Sequence, residues 1–577
     1  MMYSEIPSAQ ILVLHFKARG IKNIIISPGS RNAPLTLSFT KNPYFKCFSI
    51  VDERCAAFFG LGMAQQLHEP VAVVCTSGSA VLNYYPAVTE AFYSEIPLIV
   101  VSADRPPYKI DVGDGQTIRQ TNILKEHVAY EANLKLDVEH AMETIEEFDS
   151  TLLSETQGQV EAFNTTEISK ALGIVFSKRL PVHINIPFEE PLYGQTQEIK
   201  VKVPEVGVTL LEEEASFDLD SFSSLWSSSE RKMVLIGVQQ PNLLNQEILD
   251  RLASDPTVLV FTETTSNIYQ NDFFPSIDSI IAPIEKSENK EELFKALQPD
   301  ILITLGGLIV SKKIKAFLRK YKPKHHWHVG QNKAYDTFFC LSAHIKVKPA
   351  VFLHKLPVSG QNEGYRTYWD EVKSRYEKRR EAYLDQIAFS DFWAFDQIQN
   401  GIPDNYQVHL ANSSTVRYSQ LFPMKQSIEV FCNRGTSGID GSTSTAMGAS
   451  VYHKNPTLLI TGDLSFFYDS NGLWFDAVRS DFRIILINNS GGGIFRILPG
   501  SEQTDEFSTY FETTHNLNAA NLAEMYGFDY AKASNKQELQ DALKGLYKDV
   551  GKPRILEVFT PRLRNDRILL DYFDFIS

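Results

Sequence analysis

Two stretches decide how this chain is read: TLLITGDLS at residues 457–465 and RIILINNSGGG at residues 483–493. Each opens as a short apolar run and closes on Gly, Asp, Asn or Ser. A strand covered on both faces of a parallel sheet is continuously apolar and does not alternate. Strands of such a sheet end on one common edge, where ligands bind. Asp463 and Asn489 are therefore placed to converge. A carboxylate, an amide oxygen and a backbone carbonyl from a Gly-rich turn suit a hard, oxygen-seeking cation such as Mg²⁺. The glycines let the backbone come close to phosphate oxygens.

Working outward, the same strand–turn–helix pattern fills the chain. Further strands are expected at Val408–Ala411, Ile428–Cys432 and Arg554–Phe559 in the last third. The first third offers Asn23–Ser27, Phe48–Val51, Val71–Cys75, Leu98–Ser102 and Val182–Ile186. A looser set, Met233–Ile236, Val258–Thr262, Ile301–Leu305 and His326–Val329, lies between them. Helical periods intervene: Ala9, Leu12, Val13 and Phe16 with Ser8 as N-cap, then Ala56, Phe59, Gly60, Met63 and Leu67 after Glu53. This alternation predicts an α/β protein of three doubly wound parallel-sheet domains, at 1–192, 205–355 and 366–577. Tyr193–Pro204 and Leu356–Tyr365 are the expected linkers.

The composition fits: 43% apolar and 22% charged residues exclude wholesale disorder. The 56 basic and 70 acidic side chains leave a formal charge of −14, a poor match to nucleic acid or an anionic membrane. No apolar run approaches the ~18 residues of a membrane span. Glu5, His15 and Lys17 interrupt what a signal peptide would need, so a cytoplasmic protein is expected. The five cysteines are scattered and without a C-x-x-C pair, as expected of reduced residues. His325, His326 and His328 raise a transition-metal reading. With no acidic or Cys partner nearby in the sequence, a structural role is favoured.

Gly462–Asp463 followed by Asn488–Asn489 resembles the motif of the thiamin diphosphate enzymes, although Leu464 stands where most members have Gly. The resemblance implies a pyrimidine-binding, a central and a diphosphate-binding domain. It implies that Asp463, Asn489 and the Gly491 carbonyl hold Mg²⁺ (or Mn²⁺) and the cofactor's diphosphate, with Leu464, Ser465, Gly492 and Ser437 in the same cofactor site. Glu53, after the strand Phe48–Val51, takes the place of the acid that shares a proton with the pyrimidine ring. Ile439 takes that of the apolar prop beneath the bent cofactor. The small residues after it, Gly441, Ser442, Ser444, Ala446 and Gly448, suggest a closely packed helix.

Longer motifs narrow the resemblance: residues 27–31 (SPGSR), 102–107 (SADRPP), 115–118 (GQTI) with Gln120, and 433–440 (NRGTSGID). From Ser27 to about Leu498, and weakly in the centre, the chain is similar to the MenD family, the menaquinone-pathway synthases that join 2-oxoglutarate to isochorismate. The resemblance implies that Ser413, Arg417 and Arg434 face 2-oxoglutarate. It places Ser30, Arg31, Arg105, Lys312 and Lys313 toward isochorismate and gives Gln116 a catalytic contact. Ile494, Phe495 and Leu498 would form an apolar wall. Gly493 stands where Gln is common, and Lys313 where Arg occurs. Cations on strand-edge loops of an acidic chain suit dicarboxylates, which argues against the alternative, a decarboxylase or acetolactate-type synthase with the same cofactor. A non-catalytic nucleotide-binding regulator is disfavoured by the presence of Glu53. The family pattern also implies a homodimer or homotetramer with active sites at the subunit interface.

Overall fold

The computed structural model describes residues 1–202, 219–358, 364–497 and 504–577. Its contacts divide the chain into two compact units. One comprises Met1–Glu212 with Gly435–Lys454 and Asp469–Val478; the other comprises Glu213–Arg434, Asn455–Tyr468 and Arg479–Ser577.

The first unit holds a sheet of β1 (Asn23–Ile26), β2 (Lys46–Ser49), β3 (Val71–Cys75), β4 (Leu98–Asp104), β5 (Tyr130–Asn133) and β6 (Val182–Pro187). Its order is β2-β1-β3-β4-β6-β5, parallel throughout. The helix Glu53–Leu67 is buried at every position from Cys55 to Ala64. It lies against the helix Ser442–Ser450, itself buried throughout. Two glycines set that approach. A Cβ on Gly62 would sit 2.0 Å from the Thr445 carbonyl oxygen, and one on Gly448 would sit 1.9 Å from that of Phe59. The small-residue run after Ile439 thus packs on the helix that Glu53 begins.

The second unit holds two parallel sheets. The central one joins β7 (Lys232–Ile236), β8 (Val258–Phe261), β9 (Ile301–Leu305), β10 (His325–Val329) and β11 (Leu341–Ile345) in the order β8-β7-β9-β10-β11. Successive residues of β7 serve opposite cores: Met233 and Leu235 join one apolar cluster, Val234 and Ile236 the other. Each such side chain contributes about 1.5–3 kcal/mol on burial, which is why these strands read as unbroken apolar runs. The other sheet joins β12 (Gln407–Leu410), β13 (Glu429–Phe431), β14 (Thr457–Gly462), β15 (Arg483–Asn488), β16 (Asp529–Ala533) and β17 (Arg554–Phe559). Its order, β13-β12-β14-β15-β17-β16, repeats that of the first sheet strand for strand.

Three strands of these sheets escape the sequence pattern: β5, β11 and β16. Each is an edge strand of its sheet. Unlike the buried edge strand β8, β5 and β16 each bury one residue fully, so YEAN and DYAKA carry too few apolar residues to stand out. Ser8 is not an N-cap. Pro7 occupies the first helical turn, and the Asp137 carboxylate accepts the Ser8 N–H at 3.0 Å from far along the chain. The Tyr193–Pro204 segment is partly structured: Gln195–Thr196 pairs antiparallel with Tyr3–Ser4, while Val203 and Pro204 lie outside the described residues. In the other expected linker, Leu356 is buried, Gly364 already opens a helix, and residues 359–363 lie outside the description.

Candidate active site

In the second unit, β14 ends at Gly462 and Asp463 opens the next helix. The Asp463 carboxylate accepts the Gly491 N–H at 2.9 Å and its own neighbour's, Leu464, at 2.7 Å. The two loops therefore do meet, at the carboxyl ends of adjacent strands. Asn489 donates its amide nitrogen to Asp391 Oδ2 at 3.0 Å. That bond fixes the amide so that its oxygen is turned away from Asp391. Asp391, wholly buried, also accepts the Thr560 hydroxyl at 2.5 Å, and burial pushes its carboxyl up to about 6. Gly491 has φ +148°, and a Cβ there would sit 2.7 Å from the Glu512 carbonyl oxygen. Its turn is a backbone cradle that admits no side chain.

This donor set fits a Mg²⁺-bound diphosphate. It offers one carboxylate, one oriented amide oxygen and a glycine turn, all oxygen donors. Among the described residues no three His, Cys, Asp or Glu side chains gather as a metal cluster, so the transition-metal reading of the histidines gains no support. His326 and His328 both contact the Thr304 hydroxyl, at 2.9 and 3.0 Å, across neighbouring strands. The cradle is braced from behind. Gly492 N–H reaches the Glu512 carbonyl at 2.6 Å, and the buried Glu512 carboxylate is bridged by Arg496 and Arg562. His515 Nε2 stands 3.3 Å from Asp463. Leu464, Ser465 and Gly492 flank these groups, with Asp463 and Ser465 buried.

Arg417 lines a small cavity with Asp391, Ser414, Gly493, Ile494 and Ile497. Its Nε is buried without a hydrogen-bond partner in the described structure. Burial, then the charge of Arg434, lowers its pKa. A half-buried guanidinium with an enclosed, unbonded N–H is suited to receive an anion. Ser413, at φ +70°, begins the short helix that carries it. Arg434 is buried and donates to Asn412 Oδ1 at 2.6 Å. Beside this pair lies Glu263, whose carboxyl accepts Val310 and Ser311 N–H at 2.8 Å and is raised to about 7 by burial. The helix Lys312–Lys320 brings Lys315 within the field of Arg434 and Arg417. Lys312 is exposed, and Lys313 pairs with Glu285. Phe495 stacks edge-on toward Phe511 at 6.3 Å. Leu498 lies outside the described residues.

In the first unit, Asp52 caps the helix Glu53–Leu67 by accepting Arg54 and Cys55 N–H at 3.0 and 3.3 Å. Glu53, half buried, has its carboxyl raised by burial and by the Asp52 charge. Arg31 is buried and donates to the Phe188 carbonyl at 2.9 Å and to Glu190 at 3.0 Å. Arg105 donates to the Gly115 carbonyl at 2.9 Å, and its charge reaches Arg31. Ser30 is exposed at the same β1 turn. Gln116, exposed at φ +53°, lies over Gly78, whose Cβ would meet its backbone at 3.1 Å. Gln120 fixes that turn by accepting Gly78 N–H at 2.8 Å and donating to Asn185 at 2.9 Å. Behind it a buried line runs from Asn185 through Ser102 (2.7 Å) and His183 (2.6 Å) to Glu131 (2.7 Å). Ser437, at φ +63°, and Ile439, 38% exposed, lie on the loop before the helix Ser442–Ser450.

Sequence reasoning missed Asp391, Glu512, His515, Lys315 and the Glu131–His183–Ser102 line. Except for Lys315, they pair with residues far along the chain, where spacing carries no signal.

Along its whole length the chain is similar to known proteins. Residues 8–127 match the family model "Thiamine pyrophosphate enzyme, N-terminal TPP binding domain", and residues 412–558 match its C-terminal counterpart. The chain is 51% identical to the 2-succinyl-5-enolpyruvyl-6-hydroxy-3-cyclohexene-1-carboxylate synthase of Christiangramia forsetii, covering 100% of both chains. It is 50% identical to the enzyme of that name from Flavobacterium johnsoniae, over 99% of each. The Porphyromonas gingivalis protein of the same name is 37% identical over 100% of this chain and 98% of its own. Benzoylformate decarboxylase from Polynucleobacter necessarius shares the fold: TM-score 0.68 at 13% identity, over 96% of this chain and 99% of that one. The chain belongs to the 2-succinyl-5-enolpyruvyl-6-hydroxy-3-cyclohexene-1-carboxylate synthase family of thiamin diphosphate enzymes.

Proposed function

We propose that the protein is a transferase of menaquinone biosynthesis. It decarboxylates 2-oxoglutarate with thiamin diphosphate and Mg²⁺ or Mn²⁺, and adds the resulting four-carbon unit to isochorismate. The observation that carries this reading is the meeting of Asp463 with the Gly491 turn, together with a half-buried Arg417 whose Nε is enclosed without a hydrogen-bond partner among the described residues. When bound, the cofactor supplies the electron sink that makes loss of CO₂ possible.

The chain's own residues do the rest. Asp463, the Asn489 oxygen and the Gly491 carbonyl hold the metal and diphosphate, while Asp391 holds Asn489 in its ligand orientation. Leu464, Ser465, Gly492 and Ser437 complete the cofactor contacts. Glu53 holds a proton against the pyrimidine ring, and its raised pKa suits that task. Ile439 props the cofactor. Arg417, Arg434 and Ser413 bind the 2-oxoglutarate carboxylates. Ser30, Arg31, Arg105, Lys312 and Lys313 meet isochorismate, and Gln116 contacts the reacting centre. Ile494, Phe495 and Leu498 exclude water.

In this reading the three domains are 1–192, 205–355 and 366–577, and the enzyme is a cytoplasmic homodimer or homotetramer. Its active sites lie where Glu53 of one copy meets Asp463 of another. Two sheets of identical strand order, one per functional group, support such pairing about a two-fold axis. The test is to follow isochorismate absorbance with 2-oxoglutarate and Mg²⁺ present. Loss only when thiamin diphosphate is added supports the reading; no loss, or loss without 2-oxoglutarate, contradicts it.

A further inference from the structure

We propose that Glu90 is a positioning residue that holds the loop presenting Ile439 to the bend of the cofactor. The inference rests on the reading of Ile439 as the prop, and all the residues involved lie in the first compact unit.

Glu90 sits on the helix Tyr85–Tyr93 and is 1% exposed. A buried carboxylate is costly unless its oxygens are hydrogen-bonded. Here both are. Oε1 accepts Gly435 N–H at 2.7 Å and the Ser94 hydroxyl at 2.6 Å. Oε2 accepts Thr436 N–H at 2.7 Å and the Thr436 hydroxyl at 2.9 Å. The acceptor is fully used, and three of its four donors come from one turn. That turn also requires glycine, because a Cβ on Gly435 would sit 2.7 Å from the Glu90 carbonyl oxygen and 3.0 Å from Oε1.

The far end of the loop is pinned as well. Gly441, at φ +70°, lies so close to the Phe58 ring that a Cβ would come within 2.2 Å of it. Phe58 belongs to the helix Glu53–Leu67, which also packs against the Glu90 helix. Ser437 to Asp440 therefore span two anchors on one platform, and between them Ile439 is 38% exposed. The exposed part of that side chain, held between fixed ends, is the surface that the prop reading assigns to the cofactor. The carboxylate is needed for this: an amide at position 90 would point an N–H₂ at one of two backbone N–H groups, and the turn would have to move.

The test uses the full-length protein with Glu90→Gln, Gly435→Ala, Ile439→Ala and the double variant Glu90→Gln/Ile439→Ala. Thiamin diphosphate affinity is read from intrinsic fluorescence at fixed Mg²⁺, folding from the melting of the cofactor-free protein, and turnover in parallel. Glu90→Gln should weaken the cofactor and cut turnover by about 10²-fold, as expected for misplacement by an ångström. Gly435→Ala, which keeps the carboxylate, should do the same. On the Ile439→Ala background Glu90→Gln should add little, because both act through one side chain. If Ile439→Ala alone changes neither affinity nor turnover, the prop reading fails and the proposal with it. If Ile439→Ala weakens the cofactor but Glu90→Gln only lowers the melting temperature, or its effect multiplies fully with that of Ile439→Ala, Glu90 is merely structural and only the proposal falls.

Discussion

The first and third sheets have one strand order and opposite chemistry. In each, the chain leaves the first strand in one direction and the third in the other, opening a crevice at their carboxyl ends. In the third sheet that crevice collects Ser413 after β12 and Asp463 after β14, with the Gly491 turn beside them. In the first sheet the same two loops close on each other. A Cβ on Gly29, after β1, would sit 2.2 Å from Thr76, after β3. The acid proposed to meet the pyrimidine, Glu53, follows the edge strand β2 instead. The central sheet shows a third outcome. Gly237 after β7 abuts Gly307 after β9, and the backbone N–H groups that open the next helix already hold Glu263. Topology provides the crevice; the residues on two loops decide whether it stays open, as in the third sheet, or closes on itself, as in the other two.

The largest expected effect tests whether the first and third sheets serve one reaction from different copies. Glu53→Gln and Asp463→Ala should each be nearly inactive, the former by about 10²–10⁴ in turnover. Mixed and reassembled, they should recover a substantial fraction of activity, because some sites then contain neither lesion. Mixed samples that stay inactive would put both groups in one copy's site. Next, Arg417→Ala should raise the KM for 2-oxoglutarate about 30-fold, from loss of about 2 kcal/mol of partly buried charge pairing, with a smaller change for isochorismate. The reverse pattern would reassign the basic residues. Lys315→Met, measured alongside, sharpens the contrast between that residue and Lys312 or Lys313.

A smaller effect concerns the helix pair of the first unit. Gly62→Ala pushes a methyl into the Thr445 carbonyl and should lower unfolding free energy by about 1–3 kcal/mol in urea titration. Wild-type stability would mean the helices part easily. The smallest effect is in pH. Asp469 is buried against Ser444 and Cys55, and burial raises its carboxyl to about 6. The folded protein then binds more protons than the unfolded chain between about pH 4 and 6, so stability falls as pH rises through that window and is level above it. Asp469→Asn should flatten this slope, and an unchanged slope would assign it elsewhere.

What the sequence carried follows from where information is local. Strands buried on both faces announce themselves, as ILITL at 301–305 does; the edge strands β5, β11 and β16 do not, because half their residues face outward. Asp463 and Asn489 were legible because both end apolar strands at a telling separation. Their support was not. Asp391 lies 98 positions before Asn489, and Glu90 lies 345 before Gly435. Lys315 was passed over for a different reason. On a helix the side that faces the buried arginines is set by the helix's rotation, which the adjacent Lys312–Lys313 pair does not reveal.

The central claim is that the two like-ordered sheets divide the cofactor between them, one holding the acid and the other the metal cradle. Titrating thiamin diphosphate with Mg²⁺ into the Glu53→Gln and Asp463→Ala proteins tests it most directly. Glu53→Gln should still bind the cofactor in a metal-dependent way while turnover is lost, and Asp463→Ala should lose metal-dependent binding. Unchanged affinity in Asp463→Ala, or near-normal turnover in Glu53→Gln, would contradict it.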